Sequence, residues 1–441
     1  MRHNITLLAL LMTSSLSAME FQSIGHQSMS MGGAGVAAAR GAMAGYYNPA
    51  LLTSTKSNGE LALGVGAGIR ENNVAEQLDG LSNIEMEETL DNIAEHIASA
   101  IQISPHTLQG NNHTEDKENI KEAQRLLRSI GTKNGLSVMP AAYLSGKIND
   151  FGLGVYGTGE VSVSAHVDVN RLALSVEDPN NKGKFYTYNP DNDQYSEISQ
   201  EEYNSNSLEA AIQEGGTTYV NGKGLILVEV PLSYAKRYEL DQGELNVGGS
   251  IKYMQGTTFV KRLNIETESG DASDDLDDNE KKSSSFGIDM GLLFKPEKIE
   301  KLSIGLVAKN INAPSFDTTE GSDITVDPQL RTGLLYRANE EVDLALDLDL
   351  TSNETFIPGY DSQQLGMGVN YHPVSWFSLR AGLLSNLANS EEGIIYTTGF
   401  GIGHEKFSLD LAAQLASKSG SYDGEDIPKY ARINVALTSR W

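Results

Sequence analysis

The stretch "EVDLALDLDLT" (residues 341–351) decides the fold. Val342, Leu344, Leu346, Leu348 and Leu350 fall on one side of an extended chain, and Asp343, Ala345, Asp347 and Asp349 on the other. A helix would scatter both sets around its axis, whereas a strand, with its period of two, separates them. "EKFSLDLAAQLA" (residues 405–416) repeats the pattern, with Phe407, Leu409, Leu411, Ala413 and Leu415 opposite Ser408, Asp410 and Gln414. "GELNVGGSIKY" (residues 243–253) sets Leu245, Val247, Ile251 and Tyr253 against Glu244, Asn246, Ser250 and Lys252.

Working outward, the alternation yields about fourteen strands, each near the length that a tilted membrane-spanning strand needs. They lie near residues 60–70, 138–148, 151–168, 225–238, 243–258, 284–296, 300–310, 329–338, 341–351, 362–372, 375–385, 393–403, 405–415 and 429–441. Short connections (around 149–150, 239–242, 296–299, 339–340, 372–374 and 404) alternate with long ones (71–137, 169–224, 259–283, 311–328, 352–361, 386–392 and 416–428). An even strand count with that alternation predicts an all-β fold, an antiparallel transmembrane β-barrel in the outer membrane of a Gram-negative cell. It predicts short turns and both termini on the periplasmic side. Aromatic residues near strand ends (Phe286, Phe294, Tyr336, Tyr371, Phe377, Phe400, Tyr430 and Trp441) fit interfacial girdles.

The rest of the chain supports this class. Residues 1–18, "MRHNITLLALLMTSSLSA", read as a signal peptide, with cleavage after Ser17 or Ala18. Residues 19–58 precede the first strand and residues 59–441 form the barrel. The insertion 71–137 carries Leu78, Leu81, Leu90, Ile93, Ile97 and Ile101, and then Ile120, Ala123, Leu127 and Ile130, at helical spacing, so two helices are expected in the first outer loop. There is no cysteine, which excludes disulfides and thiolate metal sites, and the net charge of −26 excludes a nucleic-acid-binding surface. The last strand, "ARINVALTSRW", alternates to a terminal Trp441, the kind of signal that barrel assembly machinery reads.

A barrel of this width is not filled by wall side chains alone. The segment "MSMGGAGVAAARGAMAGYYNPALL" (residues 29–52) is small, weakly charged and Gly-rich, so its backbone can pack inside a lumen. Gly32, Gly33, Gly35, Asn48, Pro49 and Ala50 are its candidate plug motif, with Pro49 fixing a turn. Inward positions carry charge, notably Arg331, Arg337, Asp343, Asp347, Asp349 and Arg432, with Lys252, Lys309 and Asp410. The bland reading of these is a wetted, paired wall; the functional one is a selective path. Gly157 and Gly159 in strand three, with Pro231 in strand four, are candidates for a lateral gap, Gly157 and Pro231 being expected at about the same height.

At this point the chain resembles a family. A Gly-rich stretch and "NPA" (residues 48–50) shortly after a signal peptide, fourteen strands and a terminal aromatic look like the FadL-type long-chain fatty-acid transporters. "MGGAGVA" with "NPALL", a helical first insertion and acidic character are closer to the TraF-like conjugal-transfer branch. The resemblance implies an N-terminal hatch in a fourteen-stranded barrel and passage of a hydrophobic small molecule, released sideways into outer-membrane lipid. The TraF label does not imply a thioredoxin-like protein, since no Cys-x-x-Cys exists.

Other signals lead nowhere. Gly33-x-Gly35-x-x-Ala38 follows no strand and opens no βαβ unit, so it is no dinucleotide site. "DASDDLDDNEKK" (residues 271–282) has Leu276 and Lys282 where an EF-hand needs Gly and Glu. No nucleophile sits in a recognisable catalytic motif, so neither enzyme, cofactor nor metal is expected. Three functions compete: a channel for hydrophobic small molecules, a polar porin, and a structural or surface-interaction protein linked to conjugation.

Overall fold

The computed structural model describes residues 16–17, 19–54, 59–82, 114–131, 133–178, 181–189, 191, 194–212, 216–263, 279–404, 406–422 and 424–441. Most of the signal-peptide reading, the helical positions Leu90, Ile93, Ile97 and Ile101, and most of the acidic run 271–282 lie outside them.

Fourteen strands form one closed antiparallel barrel. In chain order they are β1 (Gly59–Asn72), β2 (Gly135–Ile148), β3 (Phe151–His166), β4 (Tyr219–Leu240), β5 (Gly243–Leu263), β6 (Glu280–Pro296) and β7 (Leu302–Lys309). The circle continues with β8 (Gln329–Arg337), β9 (Val342–Asp349), β10 (Gln364–Val374), β11 (Phe377–Asn386), β12 (Ile394–His404), β13 (Phe407–Ala416) and β14 (Tyr430–Arg440). Each strand pairs with the next, and β14 returns to β1, from Glu60 opposite Arg440 to Arg70 opposite Tyr430. The period-two pattern therefore reads through to the structure strand by strand.

The two faces of the wall differ as a membrane barrel requires. Outward positions such as Leu63 and Val65 on β1, Leu153 on β3, Leu232 on β4, Ile251 on β5, Leu344 on β9 and Leu437 on β14 are apolar and exposed. Inward positions, among them Glu160, Lys252, Asp289, Arg331, Asp347 and Asp410, are polar or charged and buried. In water such an outer band would be strongly unfavourable, but against hydrocarbon it is the natural surface. No helix among the described residues is long and apolar enough to cross a membrane.

The wall is uneven in height. β4 and β5 have 22 and 21 residues, while β7, β8 and β9 have 8, 9 and 8. The extra length rises on the long-connection side. There the inward Leu225, Leu227, Met254 and Val260 are covered by Phe316, Ile324 and Val326 from the connection between β7 and β8. The first long connection contains two described helices, α1 (Ala75–Ser82) and α2 (Thr114–Ile130). Ile120, Ala123, Leu126 and Ile130 form the buried face of α2, so Leu126 takes the place expected for Leu127.

Two expectations need correcting. Tyr430 is no girdle residue: it faces inward, buried, with its ring against Arg70. Among the described residues the two ends of the chain after the signal-peptide segment lie at opposite ends of the barrel: Met19 packs with Phe316, Ile324 and Val326 of a long connection, while Arg440 ends at the short-turn side opposite Glu60. The reason is that residues 19–54 traverse the lumen before β1 begins, so their two ends must lie at opposite ends of the barrel.

Candidate functional site

Residues 19–54 lie inside the barrel, nearly all of them buried. Local chemistry shapes this inner segment. Gly32 and Gly33 take φ values of 68° and 79°, a region closed to most side chains, which lets the chain reverse against the wall. Asn48 is extended, and its Oδ1 accepts from the Ala50 amide at 3.0 Å, capping a short 3-10 turn whose first residue is Pro49. Its Nδ2 donates to the carbonyls of Val36 (2.9 Å) and of Leu292 on β6 (3.0 Å). One fully buried side chain thus ties the turn both to the segment and to the wall.

The wall answers with glycines. Gly248 on β5, Gly291 on β6, Gly305 on β7, Gly333 on β8, Gly368 on β10, Gly382 on β11 and Gly399 on β12 form a track around the lumen. A Cβ at any of them would come within 3.0 Å of the inner segment: of Pro49, Asn48, Val36 (at both Gly305 and Gly333), Met31, Gly32 and Ser30 in turn. On β9, which lacks such a glycine, the Asp347 carboxylate accepts from the amides of Gly35 (2.8 Å) and Val36 (2.9 Å). Close backbone approach is what glycine permits, and here it seats the segment directly on the sheet.

Charged side chains fasten the two ends. At the long-connection end Arg70 is fully buried, with its guanidinium 2.9 Å from Glu20, 3.6 Å from Glu160 and 2.7 Å from Glu392. The rings of Tyr360 and Tyr430 flank it at 4.9 and 5.4 Å. Packing around Arg70, Ser362, Gln364 and Tyr430 leaves no room for a water. At the short-turn end Arg40 meets Asp343 at 2.8 Å, with His372 3.3 Å from the same carboxylate. Two hollows open there, of about 540 Å³ beside Ile24, Met43, Trp376 and Arg380, and of about 780 Å³ beside Ala37, Lys295 and Arg337, and Arg40 borders both.

The sequence-derived residues fall as follows. Gly32, Asn48, Pro49 and Ala50 touch the wall, Gly35 reaches it through its amide to Asp347 while packing on the Tyr47 ring, and Gly33 packs on Ser23. Arg331 is paired with Asp349 and donates to Gln364 at 3.1 Å; Arg432 donates to Gln22 at 3.0 Å. Arg337 differs from the other lumen charges: it is exposed at the short-turn mouth, because β8 ends there. Trp441 is 62% exposed at the rim, its backbone amide donating to Gly59 at 3.2 Å.

The lateral-gap residues do not share one height. Gly157 sits in unbroken pairing, opposite Ala142 and Val228. Leu153 faces Leu232 and Tyr156 faces Glu229, which sets Pro231 across from Gly154. The β3–β4 ladder is interrupted at Gly154 and Val155. A second interruption lies on the other edge of β3, where the register sets Gly159 across from Pro140. Both follow from proline's missing N–H. Behind them the Tyr156 ring packs on Tyr46 at 4.9 Å.

Sequence reasoning missed the Arg70 cluster and the Lys252 cluster, in which the ammonium lies 2.7 Å from Glu229 and 3.1 Å from Asp289. The available signal was parity: both cations stand at inward positions of alternating strands. Their partners come from distant elements that no spacing rule connects.

The profile of the family described as "F plasmid transfer operon, TraF, protein" matches residues 45–349. No curated protein sequence matches the chain. Among solved structures, the Ralstonia pickettii toluene transporter TbuX aligns with TM-score 0.48 at 13% identity, covering 97% of this chain and 99% of that one. The Pseudomonas putida toluene transporter TodX aligns with TM-score 0.45 at 13% identity, over 96% and 99%. A Pseudomonas aeruginosa FadL homologue aligns with TM-score 0.44 at 10% identity, over 95% and 99%.

Proposed function

Because the chain belongs to the family described as the F plasmid transfer operon TraF protein, we propose, on the geometry of its lumen, that it is an outer-membrane channel for hydrophobic small molecules. The observation that carries this reading is the inner segment. Residues 19–54 occupy the lumen on a glycine track, clamped by Arg70 at one end and Arg40 at the other. Residues 19–58 act as a plug in the barrel of residues 59–441. A polar porin needs an open aqueous path, whereas here the inner segment lines both hollows at the short-turn end. Arg70, Lys252 and Arg331 are already paired with buried carboxylates of the wall or of the segment, which leaves the wall few free charges to select ions.

A hydrophobic solute captured at the long connections then has one short route, sideways into lipid beside β3. Each edge of β3 lacks ladder pairs, next to Pro140 on one side and Pro231 on the other. Replacing both prolines (Pro140→Val with Pro231→Val) restores two backbone donors. Uptake of a hydrophobic fluorescent probe is then expected to fall severalfold while heat-modifiable migration stays normal. Undiminished uptake by an assembled double variant removes the lateral route.

A second reading is favoured by the family description itself: a surface-interaction protein associated with conjugal transfer. It predicts normal probe exclusion and a mating defect on deletion of the gene. In either reading, the outer side is that of the long connections, Trp441 serves barrel assembly from the periplasmic side, and lipid surrounds the apolar band.

A further inference from the structure

The lipid-facing side of the wall carries a groove over β8 to β12. Strand pairing there aligns residues in rows that cross the strands. An upper row of outward side chains runs from Leu334 through Leu346, Met367 and Leu383 to Tyr396. A lower row, nearer the short turns, runs from Tyr336 through Leu344 and Val369 to Ala381. Between them Ala345, Gly368, Gly382 and Thr397 occupy inward positions, so only backbone floors the space. The hollow measures about 750 Å³ and is lined by no charged side chain. Gly368 and Gly382 are only half-buried despite their inward positions. Met31 and Gly32 cover them from the lumen, so the part left exposed faces the groove. Lipid and inner segment thus press on opposite faces of a single backbone layer.

The dimensions select an occupant. The two rows stand about 7 Å apart, two residues of strand rise, and the groove is about 19 Å long, four strand spacings. On β8 it lies near the short-turn end, at Arg337, and on β12 near the long-connection end, at Ile394. Strands tilted by about 40° make it climb about 12 Å, which fits within the roughly 15 Å of one leaflet. A second barrel, rigid and convex, cannot follow so narrow a channel, and apolar surface gains nothing by exchanging hydrocarbon for another protein. A flexible hydrocarbon chain fills it, with dispersion contacts to both rows and to the floor.

We propose that this groove is a lipid site, holding one acyl chain of an inner-leaflet phospholipid as a stoichiometric ligand. The carbonyl end of the chain lies beside Leu302 and Tyr336, and its methyl end near Tyr396. The leaflet follows from the lower end of the groove, which opens towards the short-turn, periplasmic rim. The site rests on the membrane location and sidedness of the barrel and is independent of what the channel carries.

Native mass spectrometry tests this on the full-length mature barrel, extracted from outer membranes in mild detergent and washed free of loose lipid. The parent is expected to keep one phospholipid per barrel. Ala381→Phe sends a ring into the groove above Gly382, and the lipid-bound fraction should fall at least about fivefold as the chain loses its contacts there. Val369→Phe, on the neighbouring strand, should act in the same way and serves if the first variant does not assemble. Ala67→Phe adds the same ring at an exposed alanine of β1, outside the groove, and should keep the lipid. Heat-modifiable migration checks assembly of each. A parent that retains no phospholipid, or lipopolysaccharide in its place, overturns the proposal. So does a lipid that survives both groove variants or is lost equally in Ala67→Phe, and so does a dimer that Ala381→Phe splits.

Discussion

A chain lacking residues 431–441 is expected not to reach the outer membrane as a folded barrel. β14 pairs along its length with β1 and with β13, from Phe407 opposite Ser439 to Leu415 opposite Ala431. Removing it opens two edges at once. In hydrocarbon each unpaired amide or carbonyl costs several kcal/mol, with no water to take the place of the lost partner. An open sheet of thirteen strands therefore has no stable place in a bilayer, whatever its other contacts contribute. Trp441→Ala is a milder lesion. It leaves the ladder intact and removes only the rim side chain stacked on Gly59, so it should slow assembly without abolishing it. Heat-modifiable migration and outer-membrane fractionation read both variants, and normal insertion of the truncated chain would contradict the closure described.

The second large effect concerns the glycine track. Gly248→Val with Gly368→Val places one side chain at the β5 end of the track and a second further along it, against the backbones of Pro49 and Met31. Neither obstacle is a movable side chain tip, so the inner segment must lift. Overpacking of this kind costs roughly 1–3 kcal/mol per site. The strands themselves should tolerate valine, which suits a sheet better than glycine does. The expected result is an assembled barrel with a displaced segment. Trypsin reads this directly, because Arg40 is the only Lys or Arg between residues 19 and 55. In the parent its neighbours Ala39 and Gly41 are buried and cleavage should be slow. In the double variant cleavage after Arg40 should become rapid, together with an ion leak. A protected Arg40 in a sealed, assembled variant would mean that the track does not seat the segment.

Much of this architecture is legible in the sequence because a membrane wall imposes a strict period. Val342 to Asp349 alternate with no exception, and the structure places the aspartates inward and the leucines outward. Legibility fails where the period loses its physical cause. β4 and β5 run on to Tyr219 and Leu263, past the ends expected at 225 and 258, since above the bilayer an outward residue need not be apolar. Registry also escapes a sequence reading. Counting from turn ends put Gly157 level with Pro231, yet the pairing sets Pro231 three residues away, opposite Gly154. The candidate plug residues were visible as a small-residue segment, but their seat was not. Gly366-x-Gly368 and Gly382 read as ordinary inward glycines until Met31 and Gly32 are found against them. The segment's direction was invisible as well, because nothing local to residues 19–54 says from which end they enter.

The function proposed for this chain depends on the inner segment closing the lumen, and planar-bilayer conductance measures that. The full-length mature barrel should show little steady conductance. The same barrel without residues 32–52, which lie on the track and fill the lumen beside it, should show a steady conductance larger by about an order of magnitude, as an emptied barrel of this size leaves an aqueous path. Equal conductance from the two chains, both verified as assembled, would contradict the account.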